Sequence, residues 1–169
     1  MKIAIVGYSG SGKSTMAQKL GAYYQVEVLH LDSVHFLPNW IERPRADMQK
    51  MVRDFLNTHP DWVIDGNYTD CDYERRMESA DQIIMMLFPP LSSLWRVVRR
   101  YLHYRNTSRP DLGCTERLNW EFVKWVLWQG RSKRAQQRYR DLAVKYPEKV
   151  VILKTQRQID IFLQNFYPL

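Results

Sequence analysis

Glycine is scarce in this 169-residue chain, at seven positions, and cysteine is scarcer, at two. With eight prolines besides, the composition excludes a collagen-like or low-complexity chain. Cys71 and Cys114 form no CxxC pair and have no ligand spacing with the four histidines. A disulfide-stapled scaffold and a zinc module are therefore excluded, and both thiols are expected to stay reduced. No apolar stretch approaches the roughly 18 residues of a membrane span. The N-terminal apolar run, residues 3–6, has four residues and is too short for a secretory leader. The expectation is a soluble, cytoplasmic protein with no membrane partner.

What the chain does have is enough apolar matter for one core: 45% hydrophobic residues and 13% aromatic, with six tryptophans. At this length that predicts a single domain over 1–169. Charge is uneven. Residues 1–90 carry 9 basic and 12 acidic side chains, whereas residues 91–169 carry 16 and 6, a net of +10. Such a half expects an anionic partner, whether phosphate groups of a small molecule, a nucleic-acid backbone or an acidic surface.

Continuous apolar runs occupy residues 2–6, 26–31, 62–64, 82–88 and 150–153. They do not alternate with polar residues, which predicts strands buried on both faces of a parallel sheet. Helical composition falls between them, at 13–20 with Gly21 as a stop, at 46–57, 91–104 and 158–166. The alternation predicts a five-stranded α/β sandwich. Residues 105–146 break the rhythm with a polar loop containing Pro110 and two helix-like stretches around Gly130, an excursion on the scale of a lid.

The word GYSGSGKS at 7–14 fits G-x-x-x-x-G-K-[ST] and lies between a strand and a helix, as a phosphate-binding loop must. Its glycines let backbone N–H groups turn toward an anion at a helix N-terminus. Gly7, Ser9, Gly10, Ser11, Gly12, Lys13, Ser14 and Thr15 are thus the expected nucleotide cradle. Lys13 is placed to reach the β- and γ-phosphates, and Ser14 to ligate Mg²⁺. Asp65 ends the third apolar run, where a carboxylate is needed to complete the metal shell. Asp32 follows the second run and faces the same carboxyl-end crevice; binding an acceptor, assisting Mg²⁺, acting as base and capping a turn all remain open for it. His30 and His35, which flank Asp32, are read as packing or hydrogen-bonding groups rather than a metal cluster.

Phosphoryl transfer spreads negative charge that guanidiniums stabilise. Arg96 and Arg100, four apart, share one helix face, with Arg99 pointing elsewhere. On the acceptor side Trp40, Arg43 and Arg45, then Gly66, Asn67 and Tyr68, then Arg75 or Arg76, are the candidates to meet an anionic acceptor. Trp120, Phe122, Trp125 and Trp128 have helical spacing, which reads first as a core stripe and otherwise as a base-stacking platform or a dimer contact.

HLDSVHFLPNW (30–40), WVIDGNY (62–68), the Arg-rich helix after FPP (88–90), and RPDL, ER and EFVKWVLW over 109–128 resemble the small bacterial DNA topology modulation proteins, within the P-loop nucleoside/nucleotide kinase superfamily. The resemblance covers nearly the whole chain. It implies a three-layer P-loop NTPase sandwich with sheet order 2-3-1-4-5, an acceptor-binding insert at about 33–60, and a helical lid at about 105–146 between strands four and five. It further implies that Arg96 and Arg100 flank the adenine and phosphates, that Arg109 and Arg117 close over the transferring group, and that Thr155 and Arg157 lie at the adenine edge. Adenylate kinases follow their Asp-Gly with an aromatic-Pro-Arg word; here Asn67-Tyr68 follows, so adenosine monophosphate is not the expected acceptor.

The function expected is a Mg²⁺- and ATP-dependent kinase, monomeric or homodimeric, acting on a small hydroxyl- or phosphate-bearing acceptor, with Asp32 orienting or deprotonating it. The alternative is an ATP-binding, nucleic-acid-associated regulatory protein, supported by the basic half and the tryptophans.

Overall fold

The computed structural model describes residues 1–104 and 118–166. In chain order the elements are β1 (Lys2–Gly7), α1 (Lys13–Tyr24), β2 (Glu27–His30), α2 (Leu31–His35), β3 (Phe36–Leu37), β4 (Ile41–Glu42), α3 (Arg45–Thr58), β5 (Trp62–Asp65), α4 (Tyr73–Ser79), β6 (Gln82–Met86), α5 (Pro90–Tyr104), α6 (Trp120–Leu127), α7 (Lys133–Lys145), β7 (Val150–Leu153) and α8 (Gln156–Gln164). Short 3-10 turns span Pro38–Trp40 and Gln129–Arg131.

The central sheet is parallel throughout, in the order β2-β5-β1-β6-β7. Counting its five strands alone, that is the expected 2-3-1-4-5. Side chains of β1 alternate between two cores. Ala4 and Val6 join Met48, Val52, Met77, Tyr139 and Leu142 of α3, α4 and α7 on one face. Ile3 and Ile5 join Met16, Leu20, Ile159 and Leu163 of α1 and α8 on the other. Each fully buried aliphatic is worth roughly 1.5–3 kcal/mol, so both helical layers are held by apolar burial. The result is the three-layer α/β sandwich of the P-loop fold.

Several boundaries differ from the sequence reading. Helix α1 runs through Gly21 and ends at Gln25, in the left-handed region at φ 55°. Gly21 is there for proximity, since a Cβ would stand 2.1 Å from the Val28 side chain on β2. Strand β2 stops at His30, so Asp32 sits in the first turn of α2. The 33–60 insert contains a two-stranded antiparallel hairpin, β3–β4, unforeseen from composition. The excursion after α5 is narrower than expected: Ala135, Tyr139 and Leu142 are buried, so α7 is a layer of the sandwich.

The tryptophan stripe does not enter the core. Trp120, Trp125 and Trp128 are 63%, 48% and 61% exposed, and α6 buries only Val126, because this short helix packs against α5 and the Gln129–Arg131 turn and not on the sheet. Arg105, Arg109, Cys114 and Arg117 lie outside the described residues. Among the described residues no helix is long and apolar enough to cross a membrane.

Candidate active site

The parallel register brings Gly7, His30, Asp65, Met86 and Leu153 to one end of the sheet. At this end an open α/β sheet leaves its ligand crevice, and a cleft of about 2110 Å³ opens there. Tyr8, Ser9, Gly10, Gly12, Lys13, Ser14 and Thr15 line its floor. Gly7 turns out of β1 at φ 142°, where a Cβ would come within 2.2 Å of the Met86 carbonyl oxygen, so only glycine admits the turn. Helix α1 then begins with no side-chain cap and no acidic residue in its first turn, leaving its N-terminal N–H groups to an anion. Ser11 is fully buried and shapes the loop from behind.

Behind the loop stands Asp65, 4% exposed. Its Oδ2 accepts from Ser14 Oγ at 3.0 Å, and its Oδ1 meets His30 Nδ1 at 2.5 Å. Because the Ser14 hydroxyl spends its proton on Asp65, its lone pairs are left for a cation. A serine hydroxyl backed by a buried carboxylate is a hard-oxygen donor set that suits Mg²⁺. Both carboxylate oxygens are taken by protein groups, so Asp65 acts through Ser14 and not from the cleft wall. His30, read as a packing group, is the second half of that buried pair. Among the described residues no group of three His, Cys, Asp or Glu side chains is placed to hold a metal ion.

Lys13 Nζ folds over the loop and donates to the Tyr8 carbonyl at 3.1 Å. Asn67, expected on the acceptor side, grips the loop instead: its Nδ2 donates to Gly7 O at 2.6 Å and its Oδ1 accepts from Gly7 N at 3.0 Å. This is a two-sided clamp on Gly7, the residue at which the chain leaves β1. Each such bond is worth roughly 0.5–1.5 kcal/mol, so Asn67→Ala is expected to weaken triphosphate binding about tenfold with the fold retained. Calorimetric titration with ATP checks it; an unchanged affinity would show that strand pairing alone holds Gly7.

The wall of the cleft where an acceptor was expected is formed by Asp32, His35, Phe36, Trp40, Gly66 and Tyr68. Asp32 Oδ1 accepts from Tyr68 Oη at 2.9 Å. Burial first, then the neighbouring Asp32 carboxylate, push the Tyr68 phenol far above its usual range, so it remains a donor. The arginines expected here are elsewhere. Arg43 Nε donates to Val34 O at 2.7 Å and locks the hairpin. Arg45 pairs with Asp70 at 2.6 Å, and Arg75 bonds Asn57 at 2.9 Å. Arg76 is fully buried, its fork spread over the carbonyls of Cys71, Gly66 and Tyr68. Arg43, Arg75 and Arg76 are engaged by backbone carbonyls or a local side chain, whereas Arg45, its side chain 73% exposed, pairs with Asp70 at the surface.

The cationic wall is the opposite one. Arg96, Arg99 and Arg100 of α5, with Arg134 and Arg138 of α7, line the cleft; Arg99 was expected to point away and Arg138 was missed. Arg96 lies 4.2 Å over the Phe88 ring and donates to Gln156 Oε1, with its Nη1 3.5 Å from Ser11 O. A side recess of about 110 Å³ lined by Gly12, Thr15, Arg96 and Gln156 adjoins the loop. Thr155 caps α8, accepting from Gln158 N at 3.2 Å, and Arg157 is exposed; of that word Gln156 is the residue brought to the loop. Trp125 Nε1 donates to Ser9 Oγ at 3.2 Å. Arg131 donates to Val126 O, Phe88 O and Ser93 Oγ at 2.8 Å each and stacks 3.9 Å over Tyr8. Exposed Trp125 and half-buried Arg131 thus join α6 to the loop and to α5, a union no periodicity signals.

No protein-family model matches the chain, and no curated protein does. Solved structures do. A shikimate kinase from Acinetobacter baumannii, in complex with shikimate, is 16% identical with a TM-score of 0.52, covering 98% of this chain and 92% of that one. An uncharacterized protein from Eubacterium ventriosum ATCC 27560 is 12% identical over 100% of both chains, with a TM-score of 0.48. At 16% identity the likeness to the shikimate kinase is one of fold alone, a P-loop kinase-like fold.

Proposed function

We propose that this protein is an ATP-dependent phosphotransferase that moves the γ-phosphoryl group of ATP to a hydroxyl on a small molecule. The observation that carries the reading is the Ser14 hydroxyl turned by Asp65 toward the floor of a cleft whose far wall presents Asp32. The shared fold with a shikimate kinase supports a small hydroxyl-bearing acceptor.

The chain's own groups divide the work. Backbone N–H groups from Tyr8 to Ser14 hold the phosphates, and Lys13 moves from the Tyr8 carbonyl to the β- and γ-oxygens. Ser14, backed by Asp65, would hold Mg²⁺, which would supply charge neutralisation to the phosphates when bound. Arg96 and Arg100 stabilise the charge that spreads as the P–O bond lengthens. Asp32 accepts the proton of the attacking hydroxyl, with Tyr68 keeping the carboxylate oriented. Arg109 and Arg117 are proposed to close over the γ-phosphoryl group and exclude water.

The two carboxylates should separate in kinetics. Asp65→Asn loosens the group behind Ser14 and is expected to lower Mg²⁺ affinity about 10–100-fold. Asp32→Asn is expected to lower transfer about 10²–10⁴-fold while ATP binds as before. ADP release measured against a panel of nucleosides, sugars and hydroxy acids, with Mg²⁺ titrated, tests both; wild-type behaviour in the two variants would remove both carboxylates from the site.

A second reading, a nucleic-acid-associated ATP-binding protein, draws on the exposure of Trp120, Trp125 and Trp128 beside the basic half. It requires DNA affinity that survives physiological salt, with a steep fall of log affinity against log salt.

A further inference from the structure

Of Trp120, Trp125 and Trp128, only Trp125 lines the cleft. Its Nε1 donates to Ser9 Oγ at 3.2 Å, while Lys13 Nζ donates to Tyr8 O at 3.1 Å. Two donors thus converge on consecutive residues of the phosphate loop, and each rests on an uncharged oxygen of the loop itself. The indole is held in place from the far side. Arg131 donates to Val126 O, Phe88 O and Ser93 Oγ at 2.8 Å each, which ties the end of α6 to α5 and to the segment before it. The same guanidinium lies 3.9 Å over the Tyr8 ring. A Cβ at position 130 would stand 3.0 Å from Trp125 Nε1 and 3.0 Å from its carbonyl oxygen, tighter than an ordinary contact, so Gly130 lets the ring seat. Yet the ring stays 48% exposed. Fixing an indole at a cleft mouth without burying it leaves apolar surface wet and an N–H on a weak partner, an arrangement that a ligand would complete.

Resting on the phosphotransferase reading, we propose that Trp125 is a binding residue for the terminal phosphoryl group and selects triphosphate over diphosphate. The loop N–H groups nearest α1 cradle the inner phosphates, and the loop lysine reaches the β- and γ-oxygens. Tyr8 and Ser9 open the loop, so the resting place of the Lys13 amine marks the outer end of a bound triphosphate. The Trp125 N–H stands one residue away from it. On binding, that N–H passes from the neutral Ser9 hydroxyl to an anionic phosphoryl oxygen, and a charge-assisted bond of this kind is roughly twice as strong as a neutral one. A diphosphate ends one phosphoryl group short and offers the indole nothing. The gain is therefore confined to the triphosphate, which is the property of a specificity-determining group and not of a brace for the loop.

The test compares a non-hydrolysable ATP analogue with ADP by calorimetry on the full chain, both with Mg²⁺, and thermal melting shows that each variant keeps the fold. Trp125→Phe retains a ring and removes the N–H. It is expected to weaken the analogue about tenfold, the scale of a hydrogen bond to a charged group, and to leave ADP affinity within about twofold. Trp128→Phe, which alters a ring outside the cleft, should change neither affinity. Indole fluorescence gives the second readout: the change in emission on adding the analogue should persist in Trp128→Phe and be lost in Trp125→Phe. An equal loss for the analogue and ADP would mean that the indole only braces the loop, and unchanged affinity for both would mean that it touches no phosphate; either result overturns the proposal. A wild-type chain that binds neither nucleotide would overturn the phosphotransferase reading, and this inference with it.

Discussion

Replacing Lys13 with alanine should lower phosphoryl transfer by about 10²–10³-fold, the usual cost of removing one preorganised charge from a transition state. Triphosphate affinity should fall with it. The fold should stay, because Lys13 opens α1 at the cleft and belongs to neither apolar core. Its amine rests on the Tyr8 carbonyl at 3.1 Å, inside the loop it serves, so little reorganisation separates the resting position from the phosphates. Circular dichroism and thermal melting confirm the fold, while calorimetry with ATP and single-turnover transfer read the effect. A variant that binds and turns over as the wild type does would mean the loop holds no triphosphate.

Arg76→Met is expected to produce the largest loss of stability. The guanidinium is fully buried on α4, and burial lowers its pKa to about 10, so it is charged at neutral pH. It donates to Cys71 O at 2.9 Å, Gly66 O at 3.4 Å and Tyr68 O. Methionine fills similar volume but leaves those carbonyls without their donors, at about 1–3 kcal/mol each. The net loss should be roughly 3–5 kcal/mol, the scale on which a broken buried charged network is felt. Lysine should not rescue it, since one ammonium cannot span three carbonyls as a planar fork does. Urea denaturation of the three proteins gives the answer; a methionine variant of wild-type stability would show that water replaces the guanidinium there.

The sheet and the phosphate loop were readable because each writes its physics locally. Strands buried on both faces need unbroken apolar runs, and a loop that wraps phosphate needs glycine at fixed spacing. Helix α4 was unreadable because its seven residues include Glu74, Arg75, Arg76 and Glu78, whose charges hide the buried Tyr73 and Met77. Arg76 looks like a surface cation; only the fold reveals the carbonyls that need it. The tryptophans of α6 misled for the converse reason. Helical spacing declares a common face but not what that face meets, and α6 meets α5 and the Gln129–Arg131 turn and not the sheet. On the acceptor side, Asp32, Trp40, Gly66 and Tyr68 were legible from the words around them, whereas the commitments of Arg43 and Asn67 depend on partners distant in the chain or set by the hairpin.

Asn67 and Tyr68 are adjacent residues with different obligations: one clasps the Gly7 peptide, the other holds Asp32, and Arg76 fastens the carbonyls on either side of that pair. The nucleotide loop and the acceptor wall are therefore governed by a single short segment of backbone. On the phosphotransferase reading, whatever acceptor binding did to that segment the nucleotide would feel, and the reverse would hold by thermodynamic linkage with an identical factor. On that reading, any coupling between the two substrates would pass through two bonds on one asparagine.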